Sequence, residues 1–310
     1  MTLLAIDFGG TRVRAAAYDD AFRQLARAET PTRVEDGQAA VIARIIATAQ
    51  QVLPIDDAPR AIGIAAPGPL DSKTGTILHA KTLPGWQQVP LAALLSRAFD
   101  GAPTFIENDG NLGAVAEYRL GAGQGADPML YMTISTGIGG GALIGGRLFS
   151  GWSGLAVEPG HMQFNLPDGQ VRRLEEIASG TALAAEAVRR LATWTAPTTL
   201  RDLKPIDGAA VGAAAQQGDA LALAIIEQAG RYLGLALVNL IHLFSPEAIV
   251  LGGSVSRLDD LLLRPAERVI AERVLDAAFL PPCLLRAAQF GDDVCLLGAA
   301  LYAAQSIGTR

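Results

Sequence analysis

The chain has 310 residues, of which 50% are hydrophobic and 18% are charged. This composition is typical of a globular protein and unlike that of a disordered chain, and the length allows one large domain or two medium ones. The formal net charge is −6. Because the chain is mildly acidic and has no cluster of lysine and arginine, we do not expect it to bind nucleic acid.

The chain shows no sign of a targeting or membrane segment. The first ten residues, MTLLAIDFGG, have no basic segment before their apolar run, so we predict no signal peptide. The longest uncharged stretch, residues 129–146, contains six glycines and would make a poor membrane helix. Two cysteines are too few for a disulfide framework or a four-thiolate metal site. We therefore expect a cytoplasmic protein that does not associate with membranes.

The first third of the chain predicts a strand, a glycine turn, two more strands and then alternating helices and strands. A Gly-Gly pair separates the first two strands, and a Pro-Gly-Pro sequence closes the fourth. The predicted strands are 3–8, 12–18, 24–30, 61–65 and 104–108, and the predicted helices are 38–52 and a helix that runs through residue 118.

The same order begins again near residue 129, which indicates an internal duplication. The best interpretation is a two-domain α/β protein with a cleft between its halves. We place the domains at residues 1–118 together with 294–310, and at 119–293. The second series consists of strands at 129–135, 142–144, 147–149 and 248–251, a glycine turn at 137–141, and helices at 178–193, 209–216, 220–244, 258–275 and 294–305.

Two glycine turns at corresponding places carry the first functional signal. In the first turn, Asp7 ends a strand, Gly9 and Gly10 follow, and Thr11 adds a hydroxyl. Glycines let backbone N–H groups approach a phosphate closely, and a carboxylate can hold a hydrated Mg²⁺. The segment STGIGGG (135–141) repeats this design with Thr136 and Gly137. One such turn is usually structural, but two with matching hydroxyls favour a phosphate clamp.

Two other nucleotide-binding motifs fit less well. Residues 137–142 satisfy the dinucleotide fingerprint G-x-G-x-x-A, and Glu158 lies near the place of its acidic partner. That fingerprint requires a helix directly after the glycines, whereas the following ALIGGRLF predicts a hairpin. A P-loop needs a lysine after glycine, and none of the three lysines follows one. A nicotinamide-dependent dehydrogenase is therefore not favoured.

Eight short motifs together resemble the ROK family of sugar kinases. This resemblance implies an actin-like ATPase fold, which is a ribonuclease H-like duplication. It also implies a homodimer that uses ATP and Mg²⁺ to phosphorylate a hexose, most simply glucose. Fructose, mannose, N-acetylmannosamine and N-acetylglucosamine are alternative acceptors. The motifs, in chain order, are DFGGT (7–11), PGPLD (67–71), LPGW (83–86), ENDGN (107–111), STGIGGG (135–141), EPGH (158–161), EEIASGTAL (175–183) and LGGSVS (251–256).

The resemblance also implies roles for individual residues. Asp109 would be the general base, because a sugar hydroxyl is a poor nucleophile until a carboxylate accepts its proton. Without the resemblance, Asp109 would be interpreted as a helix cap. The implied sugar ligands are Gly68, Asn108, Asp109, Glu158, His161 and Glu175. The implied ATP and Mg²⁺ ligands are Asp7, Gly9, Gly10, Thr11, Thr136, Gly137, Gly252 and Gly253, with Asp7 holding Mg²⁺ through water.

The chain departs from the family pattern after His161. The cysteine-rich stretch that binds a structural zinc in most members is absent, and the loop is shorter than usual. Because one histidine cannot hold zinc, we predict no zinc site. The shorter loop also allows Glu176 to replace Glu175 as the inward-facing acid. Val157 stands where the family has a small residue.

The altered loop leaves a second functional class open, namely a non-catalytic sugar sensor. The four features that a phosphoryl transfer needs are all present: Asp7, Asp109 and the two glycine turns. A binding protein has no need of all four, so we favour the kinase.

Overall fold

The structure is a computed structural model that describes residues 2–54, 58–80 and 82–308. Packing divides the chain into two compact units. The first comprises residues up to 121, 148–157 and those from 292 onward, and the second comprises 122–147 and 158–291. The domains drawn from the sequence did not assign 148–157 to the first group. Both units contain sheets and helices, so the α/β class is confirmed.

The first unit is built on a five-stranded mixed sheet. Its elements are β1 (Leu3–Phe8), β2 (Arg12–Tyr18), β3 (Gln24–Pro31), α1 (Gln38–Gln50), β4 (Ala61–Ala66), β5 (Leu70–Asp71), β6 (Thr76–His79), β7 (Gln87–Val89), α2 (Leu91–Ala98), β8 (Thr104–Asn108) and α3 (Asp109–Leu120). The large sheet has the order β3-β2-β1-β4-β8, and β5, β6 and β7 form a small separate sheet. β1 runs antiparallel to β2 and parallel to β4.

The second unit repeats this arrangement. Its elements are β9 (Met129–Ile134), β10 (Ile138–Ile144), β11 (Arg147–Leu148), β12 (Gln163–Asn165), β13 (Val171–Arg173), α4 (Glu175–Ala178), α5 (Gly180–Leu191), α6 (Gly208–Gln216), α7 (Ala220–Phe244), β14 (Ala248–Gly252), α8 (Asp260–Arg273) and β15 (Leu285–Ala287). The sheet order is β11-β10-β9-β14-β15. β9 runs antiparallel to β10 and parallel to β14, as β1 does with β2 and β4. The predicted duplication is therefore confirmed.

Helix α9 (Val294–Ile307) belongs to the first unit and packs directly on its sheet. A Cβ added at Gly63 on β4 would lie 1.9 Å from the carbonyl oxygen of Ala299. One added at Gly298 would lie 2.0 Å from the carbonyl oxygen of Leu112 on α3. Because real Cβ atoms cannot approach so closely, glycine at both positions allows α9 to contact the backbone of β4 and of α3.

Two predicted elements need correction. Residues 137–141 were predicted as a turn, but β10 already begins at Ile138, so three of these glycines lie in a strand. These residues pair with β9, and glycine is needed among them because a Cβ at Gly140 would lie 2.5 Å from the carbonyl oxygen of Tyr131 and 2.8 Å from Pro159. The helix predicted at 178–193 is interrupted at Ser179, whose hydroxyl accepts the Ala182 N–H at 3.2 Å and caps α5.

Helix α7 is long and apolar enough to cross a membrane by length and composition, but 61% of its most apolar window is buried. It packs closely against α8. A Cβ at Gly230 would lie 2.4 Å from the carbonyl oxygen of Leu262, and one at Gly234 would lie 2.6 Å from that of Ala266. These glycines, spaced four residues apart, lie on the face of α7 that contacts α8, as expected of a core helix.

Candidate active site

The first unit gathers its predicted site residues at one edge of the large sheet. Asp7 lies near the end of β1, Asn108 ends β8, and Gly68 follows β4 by two residues. Parallel pairing of β1 with β4 and of β4 with β8 brings the carboxyl ends of all three strands to the same edge. Asp109 begins α3 directly after β8 and interacts electrostatically with Asp7. Four predicted residues are thus neighbours.

Asn108, rather than Asp109, caps helix α3. The Asn108 side-chain oxygen accepts the Asn111 N–H at 2.7 Å, which satisfies one of the free amides of the first turn. Asp109 Oδ1 accepts the Gly110 N–H at 2.8 Å. The positive end of the helix dipole favours an ionised carboxylate in the first turn. The cap that sequence alone would assign to Asp109 is therefore provided by its neighbour.

Asp7 is a buried carboxylate paired with an arginine that the sequence interpretation missed. It is 8% exposed, and its Oδ2 accepts a hydrogen bond from the Arg14 guanidinium. Arg14 Nη1 also donates to the carbonyl oxygen of Asp292 at 2.5 Å. Burial raises the pKa of Asp7 to about 6, although Arg14 lowers it, and the nearby Asp109 raises it further. Arg14 was detectable in principle, because it lies opposite Asp7 in the predicted β1–β2 hairpin.

Hydrogen bonds to Arg12 and Thr32 fix the first glycine turn, and the space beside Gly9 is open. The Gly9 N–H donates to the Arg12 carbonyl oxygen at 3.0 Å, and the Thr32 hydroxyl donates to the Gly9 carbonyl oxygen at 2.7 Å. The Thr32 N–H donates to the Thr11 carbonyl oxygen at 2.9 Å. Apart from Gly9 and its two chain neighbours, none of the residues that the structure describes has an atom within 4 Å of a Cβ added at Gly9. The backbone at Gly9 is therefore accessible to a ligand.

Gly10 faces Thr82, the residue that immediately precedes the LPGW segment. A Cβ at Gly10 would lie 3.0 Å from the carbonyl oxygen of Thr82. Trp86 is buried, and its ring lies 5.4 Å from that of Phe8, which immediately precedes the turn. This aromatic contact packs the LPGW segment against the base of the glycine turn.

The second glycine turn is tied to the start of α5. Ser135 N–H donates to the Gly137 carbonyl oxygen at 2.9 Å, and the Gly180 N–H donates to the Ser135 carbonyl oxygen at 2.7 Å. The Thr181 hydroxyl donates to the Thr136 carbonyl oxygen at 2.8 Å. These contacts place Thr136 and Gly137 beside a helix N-terminus, where backbone amides favour anions.

The LGGSVS segment lies next to this turn. Gly253 has a φ of +90°, and a Cβ there would lie 2.3 Å from the carbonyl oxygen of Ile134, so only glycine fits. Val255 N–H donates to that same oxygen at 2.9 Å. Gly252 ends β14, and a Cβ there would lie 2.6 Å from the Tyr131 hydroxyl. The two glycines thus let the segment follow the end of β9 closely.

A cavity of about 560 Å³ opens between the second turn and the LGGSVS segment. Its lining includes Thr136, Thr181, Gly208, Ser254 and Val255. Its volume is in the range of small-molecule sites, and all of its lining belongs to the second unit. The lining combines hydroxyl groups with apolar side chains such as Ala184, Ile206 and Val255, which suits a ligand with a polar and an apolar part.

Glu158 precedes a single helical turn, Pro159–His161, and His161 is its last residue. The His161 N–H donates to the Glu158 carbonyl oxygen at 3.1 Å, and Arg173 Nη1 lies 3.4 Å from His161 Nδ1. Loss of hydration raises the pKa of Glu158 above its ordinary value. His161 acts against this rise, and Glu175 adds to it. The three predicted sugar ligands of the second unit are therefore close enough to interact.

Glu175 and Glu176 have different environments. Glu175 Oε2 accepts the Ile138 N–H at 3.1 Å, directly after Gly137 and at the first residue of β10. Glu176 is exposed and accepts the Arg173 N–H at 2.9 Å and its Nη2 at 2.8 Å. The Arg173 bonds lower the pKa of Glu176 to about 2. Glu175 is thus the acid that faces the turn.

Within the residues that the structure describes, no group of three histidine, cysteine, aspartate or glutamate side chains is arranged to hold a metal ion. The absence of zinc stays a prediction. The predicted site residues fall into two sets: Asp7, Gly9, Gly10, Thr11, Gly68, Asn108 and Asp109 in the first unit, and Thr136, Gly137, Glu158, His161, Glu175, Gly252 and Gly253 in the second.

Comparison with known proteins gives consistent results. The model of the ROK family matches residues 3–306. A glucokinase of Thermotoga maritima is 30% identical over 317 residues, which cover 99% of each chain. An N-acetylmannosamine kinase of Yersinia pseudotuberculosis is 32% identical over 315 residues, which cover 98% of this chain and 99% of the relative.

A solved structure extends the likeness to the fold. A ROK family glucokinase of Streptomyces griseus, in complex with glucose and AMPPNP, superposes with a TM-score of 0.82 and 33% identity. The match covers 98% of this chain and all of the other. This chain belongs to the ROK family and has its actin-like ATPase fold.

Proposed function

We propose that this protein transfers the γ-phosphoryl group of ATP to a hydroxyl of a hexose, with glucose as the expected acceptor and Asp109 as the general base. Relatives of two sugar specificities, similar over their whole length, support a sugar kinase. The observation that carries the assignment of the base is the position of Asp109, at the start of α3 beside Asn108 and in electrostatic contact with Asp7.

The proposed chemistry follows from the properties of these side chains. Asp109 accepts the proton of the attacking hydroxyl as the bond to phosphorus forms. Asn108, Glu158, His161 and Glu175 are the proposed sugar ligands. Amides and carboxylates suit a polyol, because each hydroxyl can both donate and accept a hydrogen bond.

The proposed nucleotide site uses backbone more than side chains. The Gly9 turn and the turn at Thr136 and Gly137 present amides to the phosphates. We assign the adenosine part to the cavity beside Gly253, and its volume of about 560 Å³ supports this assignment. AMPPNP in the structure of the Streptomyces relative supports ATP as the donor.

Asp7 fits a water-mediated Mg²⁺ site. It offers a carboxylate at a strand end next to an open glycine turn, and oxygen ligands and water are what Mg²⁺ prefers. Arg14 holds Oδ2 and orients the group. When bound, the ion would offset negative charge on the phosphate oxygens. Asp7 must be ionised for this role. Because its pKa is about 6, we expect Asp7 to support Mg²⁺ binding above that pH.

The acceptor sugar is the finer part of this proposal. A glucokinase and an N-acetylmannosamine kinase match this chain at similar identity, so overall similarity does not choose between them. We favour glucose because the set of Asn108, Asp109, Glu158, His161 and Glu175 is the one that the resemblance to ROK glucokinases implies. Fructose, mannose and N-acetylglucosamine are the other candidates.

The test is ATP consumption by the purified protein with Mg²⁺ and each of these sugars, with Asp109→Asn measured alongside. We expect turnover on one preferred sugar and a loss of about 10²- to 10⁴-fold in kcat in the variant. Calorimetric titration of the sugar should show that the variant still binds it. Absence of turnover on every sugar by folded, ATP-binding protein would contradict the kinase and favour a sensor.

We also propose that the protein is a homodimer. Leu243 and Leu275 are 74% and 79% exposed, and a bond from the Leu275 N–H to His242 Nε2 at 3.0 Å brings them to the same end of α7. A second copy would cover this apolar surface. Light scattering of the wild type and of Leu243→Glu measures the mass, and a monomeric wild type would contradict the proposal.

A further inference from the structure

Glu107 and Asn111 form a buried polar pair beneath the proposed base. Each is only 1% exposed. Glu107 Oε1 accepts two hydrogen bonds, from the Asn108 N–H at 2.9 Å and from Asn111 Nδ2 at 3.1 Å. In the described part of the chain, the other oxygens of the pair, Glu107 Oε2 and Asn111 Oδ1, are buried without a hydrogen-bond partner.

Protonation of Glu107 would supply a donor for the two unpartnered oxygens, Glu107 Oε2 and Asn111 Oδ1. A buried polar atom without a partner costs free energy, so native structures seldom leave one unsatisfied. A carboxylate can only accept hydrogen bonds, whereas a protonated carboxyl also donates one. A carboxylic acid and a primary amide can exchange two reciprocal bonds, O–H to the amide oxygen and N–H to the acid oxygen. The second of these bonds is already in place.

We propose that Glu107 is a neutral carboxylic acid whose Oε2–H donates to Asn111 Oδ1, and that this pair positions Asn108 and Asp109 for the phosphoryl transfer proposed above. Glu107 is a positioning residue, since it acts through its neighbours. Glu107 accepts hydrogen bonds from the backbone N–H of Asn108 and from the side-chain amide of Asn111. The backbone N–H of Asn111 in turn donates to the side-chain oxygen of Asn108. These bonds fix the residues on either side of Asp109 in the first turn of α3, namely Asn108 before it and Asn111 after it.

The surroundings of Glu107 favour the neutral form. Burial raises the pKa of Glu107 above its ordinary value, and its bonds with Asn108 and Asn111 act against this rise. The nearby Ser72 hydroxyl also acts against it, but it makes no hydrogen bond of ordinary geometry to Glu107 Oε2, which is left without a partner among the described residues. From α9, the titratable neighbour is Tyr302, whose own pKa is raised to about 12, so it stays neutral.

The first test compares unfolding of the wild type and Glu107→Gln from pH 4.5 to pH 9. Glutamine copies the neutral acid, because its Nε2 donates where Oε2–H would. A folded pKa above the unfolded value of about 4.5 contributes stability below that pH, and the contribution is lost as pH rises through the folded pKa. We therefore expect the stability of the wild type relative to the variant to fall as pH rises. Asp7 titrates in both proteins, so its contribution to the pH dependence cancels in the difference between their stabilities.

The second test is kinetic and adds Glu107→Ala. We expect Glu107→Ala to lose about 10- to 100-fold in kcat with a smaller change in sugar KM, because the base is displaced. Glu107→Gln should recover most of that loss. A stability difference between wild type and Glu107→Gln that stays constant with pH would show an ionised Glu107 with another donor and would overturn the proposal. So would a glutamine variant as impaired as the alanine variant.

The two tests separate this inference from the kinase proposal. If the wild type and all variants lack kinase activity, the proposed function fails. The pH series still determines whether Glu107 is neutral, because unfolding requires no substrate. If Glu107→Ala does not fold, the glutamine comparison alone decides.

Discussion

Asp7 and Arg14 are register partners on β1 and β2, and the guanidinium of Arg14 donates to Asp7 Oδ2. The pair joins the two strands at the point where the first glycine turn begins. Burial and the nearby Asp109 raise the pKa of Asp7, and Arg14 is the strongest influence that lowers it. The balance leaves the pKa of Asp7 at about 6, close to physiological pH.

Arg14→Gln should move the acid side of the pH–activity profile to higher pH. Without the guanidinium, the pKa of Asp7 rises above about 6, and Asp7 must be ionised to hold Mg²⁺. We expect the midpoint of kcat/KM for ATP to rise by about one pH unit. The measurement is the initial rate between pH 5.5 and 8.5 at fixed Mg²⁺.

The matched control is Arg12→Gln. Arg12 is exposed, pairs with Glu29 at 3.2 Å and has the smallest of the influences on Asp7, so the midpoint should scarcely move. Equal midpoints in the wild type and Arg14→Gln would show that Asp7 does not control the acid side. Asp7 also stabilises the fold below pH about 4, and this contribution is lost as pH rises through about 6.

Gly9→Ala should leave the fold intact and weaken ATP binding. Apart from its chain neighbours, a Cβ at Gly9 meets no atom within 4 Å among the described residues, so we expect a change in the free energy of unfolding below about 0.5 kcal/mol. If phosphate approaches the backbone here, the added methyl obstructs it. The KM for ATP should rise at least about tenfold, which corresponds to about 1.4 kcal/mol.

Gly253→Ala provides the contrasting case. Its φ of +90° and the 2.3 Å approach to the Ile134 carbonyl oxygen mean that alanine strains the fold itself. We expect loss of both stability and ATP affinity. If Gly9→Ala keeps an unchanged KM for ATP, the first turn is structural and the phosphate interpretation of DFGGT is wrong.

Much of this architecture follows from local sequence. Alternating and apolar runs predicted the strands at 3–8, 12–18 and 104–108 with their observed bounds. The helix 220–244 was also predicted at its observed ends, and the structure shows that Asp219 caps its start and that Ser245 follows its last residue. The shared plan of two glycine hairpins predicted the duplication. These features depend on neighbours along the chain, which a sequence displays directly.

The remaining features depend on contacts between distant segments. Gly140 pairs with Met132 of β9, and Pro159 and the Tyr131 carbonyl leave no room there for a side chain. The role of Glu107 depends on its burial and on the geometry of Asn111, and neither is visible in ENDGN alone. The small sheet β5–β7 and the hairpin of β12 and β13 have strands of two to four residues, too short for a periodic signal.

Glu175→Gln and Glu176→Gln distinguish the two candidate acids of the sugar loop. Glu175 bonds the Ile138 N–H beside the second turn, whereas Glu176 bonds Arg173 at the surface. We expect Glu175→Gln to raise the sugar KM at least about tenfold, because a charge-assisted hydrogen bond is lost. Glu176→Gln should change it less than about twofold. The reverse order would identify Glu176 as the ligand.

Val157→Gly should stabilise the protein. Val157 has a φ of +65°, a conformation that a β-branched side chain rarely adopts and that costs about 1–3 kcal/mol. Glycine removes this strain but adds about 0.4–1 kcal/mol of freedom to the unfolded chain. We therefore expect the free energy of unfolding in urea to rise by about 1 kcal/mol.

Val157→Ala separates backbone strain from side-chain packing. Alanine removes the branching but keeps a Cβ at positive φ, so its stability should fall between that of the wild type and that of the glycine variant if strain dominates. Because glycine adopts the same backbone path, Glu158 should keep its place, and kcat/KM for the sugar should stay within about threefold of wild type. A glycine variant less stable than the wild type would mean that packing of the valine side chain outweighs the strain, and that the family's small residue was replaced here for a gain in packing.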